Sequence, residues 1–178
     1  MESFHFEGTD IAPGTGKEVS LELGDGPAGN PRSIPVYIIH GTRPGPVLAL
    51  TAGIHGDELN GVSVAHHLIH GDDHIAGTDD DRISREKLAG TVICVPVVNI
   101  EGMLLEQRGA PDNRDINRLF PGKKLGNQSQ RIAYALFQSV VKRADYLIDL
   151  HSAPHSRTNL PHVRANFDRK ECMKLARA

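Results

Sequence analysis

Cysteine is scarce, basic charge is not in excess and long apolar runs are missing, and each shortage removes a class of function. Only two cysteines occur, Cys94 inside an apolar run and Cys172 near the end. They form no metal-type spacing and no disulfide framework, so a stapled secreted scaffold is excluded, a reduced compartment fits, and both thiols read as structural. The 20 Lys and Arg stand against 22 Asp and Glu, a formal net charge of -2. Without a basic block or an interleaved aromatic pattern, nucleic acid is not an expected partner. Nowhere do 18 apolar residues run together, and Glu2, Glu7, Asp10 and Glu18 break up the first 30 residues, where a signal peptide would be apolar. The expectation is a cytoplasmic protein with no membrane segment. No internal repeat or low-complexity tract appears.

What is present is a chain of 178 residues, long enough for one domain with a sizeable core. Residues 17 to 23 (KEVSLEL) alternate like a half-buried strand, and 35 to 40 (PVYIIH) follow the turn-like GDGPAGNPRS. These predict antiparallel edge strands. After GTRPGP come three continuous apolar runs, 47 to 52 (VLALTA), 91 to 98 (TVICVPVV) and 145 to 150 (DYLIDL). Continuous runs predict strands buried on both faces of a parallel or mixed sheet. Between them, residues 58 to 70 set Leu59, Val62, Ala65, Leu68 and Ile69 in one stripe, and 128 to 142 do the same with Ile132, Ala133, Leu136, Phe137, Val140 and Val141. The fold class read from this is α/β, a three-layer doubly wound mixed sheet. The polar, acidic stretch 71 to 90 predicts a surface loop with a short helix. Near the end, Asp168 and Glu171 have capping-box spacing ahead of Cys172, Leu175 and Ala176, and the helix they predict looks cut before its stop signal.

Chemistry concentrates in three places. Just past VLALTA lies GIHGDE, where ligands bind in open α/β sheets, outside the carboxyl ends of the strands. His55 and Glu58, three apart on a loop-to-helix turn, can converge on one point, and imidazole with carboxylate is a zinc donor pair. Alone, the stretch is equally a helix start at which Asp57 and Glu58 favour the dipole and His55 packs. His151, directly after DYLIDL, holds the matching position at another strand end and completes a His₂Glu set. The third place is QRGAPDNRDINRLFPG, residues 107 to 122, with Arg108, Arg114, Arg118, Asp112, Asp115 and Asn117. Arginine forks bind carboxylates and stabilise an oxyanion; a solvated loop is the bland account. Four of the ten histidines, His66, His67, His70 and His74, sit in one segment, and solvation accounts for them as well as any site does.

GIHGDE, DINRLFPG and DLHSA, in that order, resemble the succinylglutamate desuccinylase/aspartoacylase family, a branch of the zinc carboxypeptidase-like (phosphorylase/hydrolase-like) fold, over about residues 45 to 165. The resemblance implies one Zn²⁺ held by His55, Glu58 and His151. Asp115 then orients the first histidine, a role suited to a ligand's other ring nitrogen. Arg108 corresponds to the arginine that polarises the scissile carbonyl, although Arg114 lies close enough to compete. Asn117 and Arg118 correspond to the pair that grips the substrate carboxylate. Asp57, His155, Arg164 and Asn166 are equally well explained by capping and solvation.

The function this implies is zinc-dependent hydrolysis of the amide bond of small N-acyl amino acids. One departure matters. The family's general base is a glutamate well beyond the third ligand, in members about twice as long with a small β-rich second domain, whereas here only Glu171 follows His151. Residues 1 to 178 are therefore expected to be the catalytic domain without its C-terminal continuation, weak or inactive alone. A carboxypeptidase-type peptide hydrolase and a non-catalytic metal-binding module are the competing readings. Association into a homo-oligomer stays open.

Overall fold

The apolar runs and helical stripes form a mixed sheet with helices in the computed structural model, which describes residues 1–26, 29–71, 82–154 and 157–178. A short antiparallel ribbon opens the chain, β1 (Phe4–Phe6) with β2 (Thr9–Ile11). It was not legible in sequence, because three-residue strands carry no period. Next come β3 (Thr15–Asp25) and β4 (Pro31–His40), which pair antiparallel, then β5 (Arg43–Ala52), helix α1 (Asn60–His70) and β6 (Ala89–Val95). Helix α2 (Ile100–Leu104), helix α3 (Gln128–Ser139), β7 (Tyr146–Leu150) and α4 (Lys170–Arg177) complete the order. The five-stranded sheet runs β3-β4-β6-β5-β7, with β5 parallel to both β6 and β7.

Successive residues of a strand point to opposite faces, and the core divides accordingly. Ile38, Ala49, Ile93 and Val95 join one cluster, to which α3 contributes Ile132, Ala133 and Leu136. Their neighbours Ile39, Leu50, Val92 and Cys94 join another, with Ala65 and Ile69 of α1. Each fully buried aliphatic side chain is worth about 1.5–3 kcal/mol, so the two stripes hold both helices against the sheet. Among the described residues no helix is long and apolar enough to cross a membrane.

Four expectations need correction. β4 lies between β3 and β6, so of these two strands only β3 is an edge. β7 is not buried on both faces: it is the other edge, and Tyr146 and Leu147 are exposed. Leu59 belongs to no core stripe; it is the exposed residue before α1. The Asp168/Glu171 capping box does not form, because α4 starts after Arg169 and makes no side-chain cap bond. Instead a capping box closes at α3, between Asn127 and Gln130. Residues 72 to 81 of the surface loop expected over 71 to 90 lie outside the described residues, and His74 with them.

Candidate metal centre

Parallel pairing brings three carboxyl ends to one edge in register: Thr51 faces Val95 on one side and Asp149 on the other, and Ala52 faces Leu150. His151 therefore emerges directly beside the turn that follows β5. That turn is held by Val98 N–H on Ala52 O (3.0 Å) and Asn99 N–H on Gly53 O (2.9 Å). Its glycines are required. Gly53 sits at φ +59°, and a Cβ on Gly56 would fall 2.0 Å from the carbonyl carbon of Gly102, so only glycine lets the turn pack this closely on α2.

The centre is organised around the Glu58 carboxylate. His55 Nδ1 lies 2.8 Å from Oε1, and His151 Nδ1 lies 2.8 Å from Oε2. Oε1 also accepts from the Arg108 guanidinium (2.9 Å), and Oε2 from the Ser152 N–H (3.1 Å). Each histidine turns its other nitrogen to a second carboxylate, His55 Nε2 to Asp115 at 3.0 Å and His151 Nε2 to Asp149 at 2.7 Å. Asp115 is fixed in turn as the cap of the 3-10 turn Ile116–Arg118, through Asn117 N–H, and Asp149 by the Thr51 hydroxyl (2.7 Å). One donor atom from each of His55, Glu58 and His151 lies within 4.8 Å of the others. Two imidazoles and a carboxylate, each imidazole anchored through its far nitrogen, are the donor set and the outer support that a divalent ion such as zinc uses. The residues fit such an ion.

Electrostatics follow from this packing. Burial pushes the Glu58 carboxyl up, but the bond from His151, the charges of His55 and His151 and the Ser152 amide outweigh it and hold the group below the usual carboxylate range. Asp115 is likewise held low: burial opposes ionisation, while His55, Arg108 and the Asn117 amide favour it. In the metal-free chain the bond to Asp149 raises His151 to about 9, against its partial burial and with help from Glu58.

Of the candidates, Arg108 and not Arg114 reaches the centre, adding a longer contact to Asp115 Oδ2 (3.4 Å). Arg118 stands 3.9 Å from Asp115 with its side chain 83% exposed, and Asn117 is exposed beside it. Arg164 and Asn166 lie on the exposed segment after β7, and His155 is outside the described residues. Asp57 keeps one carboxylate oxygen buried without a hydrogen-bond partner. The sequence reading missed Asp149. The available signal was its place two residues before His151 at the end of β7, where strand alternation would turn both side chains to the same face.

Comparison with known proteins identifies the family. The model of the succinylglutamate desuccinylase/aspartoacylase catalytic domain matches residues 44–178. An N-alpha-acetyl-L-2,4-diaminobutyric acid deacetylase of Halomonas elongata is 31% identical over 134 residues, 75% of this chain and 36% of the relative. A succinylglutamate desuccinylase/aspartoacylase structure from Rhodobacter sphaeroides superposes with a TM-score of 0.67 at 30% identity, over 79% of this chain and 40% of that one. The product-bound ectoine utilization protein EutE (DoeB) of Ruegeria pomeroyi gives 0.62 at 28%, over 77% and 40%. The chain thus spans about two fifths of the length of these relatives. With its family model matched over well more than half its length, the chain belongs to the succinylglutamate desuccinylase/aspartoacylase family.

Proposed function

We propose that this chain is the metal-holding part of a zinc-dependent hydrolase that cleaves the amide bond of small N-acyl amino acids. The observation that carries the reading is the convergence of His55, Glu58 and His151, with both far ring nitrogens already bound to carboxylates. A relative that deacetylates N-alpha-acetyl-L-2,4-diaminobutyric acid supports the substrate class. The same reading makes the fold the three-layer, carboxypeptidase-like arrangement of such hydrolases and, with both cysteines free, the compartment cytoplasmic.

A divalent ion held by the three side chains supplies an acidified water and a Lewis acid for the acyl oxygen. Asp115 and Asp149 keep the two imidazoles turned toward Glu58. Arg108, 46% exposed and with donors to spare beside Glu58, meets the negative charge that develops on the acyl oxygen. Arg118 and Asn117, exposed at the rim, hold the substrate carboxylate, for which a guanidinium fork is suited.

Proton transfer is assigned outside these residues. Among the described residues, every carboxylate touching the histidines is engaged: Glu58 by four donors, Asp115 by His55, Asn117 and Arg108, and Asp149 by His151 and Thr51. The reading therefore places the general base in a further, β-rich domain. General acid–base catalysis contributes about 10² to 10⁴-fold, so residues 1–178 alone should turn over slower by that order.

The test is a zinc titration of the metal-stripped chain, paired with hydrolysis of N-acetyl and N-succinyl amino acids by the chain and by a full-length relative. One tight site, lost in His55→Ala, and chelator-sensitive hydrolysis by the relative are expected. Undiminished hydrolysis in excess chelator would sink the reading. Tight binding without turnover in the whole gene product would favour a non-catalytic metal-binding module, which the engaged carboxylates also support.

A further inference from the structure

Helix α1 carries a second set of imidazoles, beside the face that it packs on the sheet. Ala65 and Ile69 are its buried residues, and His66 and His70, one step further on in each turn, are exposed. Four residues apart, the two are stacked neighbours on one helix face. Their ring centroids are 4.6 Å apart with the planes tilted by 44°. The edge of one ring against the other in the Tyr37–His70 pair, 5.2 Å and 86°, steadies the second imidazole. His67, between them in sequence, is occupied otherwise: its Nδ1–H donates to Ser63 O at 2.8 Å. Among the described residues no hydrogen bond or ion pair takes a ring nitrogen of His66 or His70, so both keep a lone pair for solvent or an ion.

We propose that His66 and His70 form a second metal site, for a late first-row divalent cation such as Zn²⁺, Ni²⁺ or Cu²⁺. Imidazole suits these ions over Mg²⁺ or Ca²⁺, which prefer oxygen. Metal–nitrogen bonds of about 2.0–2.1 Å in a tetrahedral ion separate two ligating nitrogens by about 3.4 Å. Rings whose centroids stand 4.6 Å apart reach that spacing by side-chain rotation alone. The helix itself is fixed by its packing, so no backbone ordering is needed. Water completes the coordination. Unlike the centre at His55, this pair has, among the described residues, no third protein ligand and no carboxylate behind either ring, and such outer support alone is worth about 10–100-fold in affinity. The outer site is therefore at least about 100-fold the weaker of the two.

Calorimetric titration of the untagged, metal-stripped full chain with ZnCl₂ and with NiCl₂ tests this. Two binding events of one equivalent each are expected, the second at least about 100-fold weaker. In H66Q/H70Q the weak event and retention on an immobilised nickel column should both disappear while the tight event stays. In H55A the tight event should go and the weak one remain. A single event in the unaltered chain, or a weak event that survives H66Q/H70Q, overturns the proposal. If the double variant also loses the tight event, single H66Q and H70Q decide: each should weaken only the outer event, at least tenfold, and no change in either overturns it. Because H55A and H66Q/H70Q report on separate events, failure here leaves the hydrolase reading standing, and the reverse.

Discussion

Two strand ends meet at the metal centre, and they are built in opposite ways. Past β5, His55 and Glu58 are only 2% and 3% exposed, locked in a turn that glycine packs directly against α2. Past β7, the His151 side chain is 34% exposed, on a strand whose only partner among the described strands is β5. Beyond it Leu160, Val163 and Phe167 stay exposed. The chemistry is symmetrical, since each histidine spans Glu58 and an aspartate, but the mechanical support is not. Both ends should therefore contribute alike to metal binding and unequally to stability.

Paired alanine substitutions test that claim with the largest effects. His55→Ala and His151→Ala each remove one ligand of three and should each lower zinc affinity by more than the roughly 10–100-fold typical of an outer partner, as read by competition with a chromogenic chelator. Their unfolding should differ. His55→Ala leaves Glu58 and Asp115 facing a buried void and should cost about 3 kcal/mol in the metal-free chain, the scale for breaking a buried charged pair. His151→Ala, at a side chain about a third open to water, should cost about 1 kcal/mol, the worth of an ordinary hydrogen bond. Equal losses in a urea melt would show that the two ends are equally rigid.

Next in size is Gly56→Ala, which acts on the buried end alone. Its Cβ would meet the Gly102 carbonyl carbon at 2.0 Å and the Met103 nitrogen at 2.3 Å, both backbone. Something must shift, and overpacking of this kind costs about 1–3 kcal/mol. Zinc affinity should fall with stability, since the turn carries His55 and Glu58. A fully stable Gly56→Ala chain with unchanged affinity would refute the tight packing inferred at this turn.

The outer carboxylates give a smaller effect and sharpen the symmetry. Asp115→Asn and Asp149→Asn each leave the far ring nitrogen of one histidine without its anionic partner, and each should weaken zinc binding by about 10–100-fold while sparing the fold. If only Asp115→Asn does so, His151 is oriented by Glu58 alone.

The same asymmetry explains what the sequence disclosed. The buried end was legible: VLALTA is continuous because β5 has a strand on each side, and GIHGDE stands out against it as polar residues at the end of an apolar run. The helices α1 and α3 were legible from their stripes for the same reason. The exposed end misled, since DYLIDL is as apolar as a central strand yet forms an edge; apolarity reports what a strand is suited to cover, not how many neighbours it has. Asp149 went unnoticed because its role depends on Thr51, a pairing of strands 98 positions apart in sequence. At the far end, the acid spacing of Asp168 and Glu171 mimicked a cap, but α4 is an exposed helix with no buried residue, and nothing tertiary fixes its first turn at Asp168.

The gentlest probe of the contrast is thiol chemistry, because the central sheet and the last helix each hold one cysteine. Cys94 lies on the central strand β6, fully buried, and burial pushes its thiol up to about 12 from an ordinary value of 9.0. Cys172 lies on α4, partly exposed. The thiolate is the reactive form, so at pH 8 an aromatic disulfide reagent should titrate one thiol per chain promptly and the second only when denaturant opens the sheet. The raised value also has a sign in stability. A thiol kept neutral by the folded state adds stability that is fully present below pH 9 and is lost as pH climbs through about 12. The urea midpoint should accordingly fall more between pH 9 and 12 for the unaltered chain than for Cys94→Ala. Two thiols reacting at the same rate at pH 8 would mean that β6 opens as readily as α4. A sheet that opened so easily could not hold His55 and Glu58 in place, and the mechanical difference between the two strand ends would vanish with it.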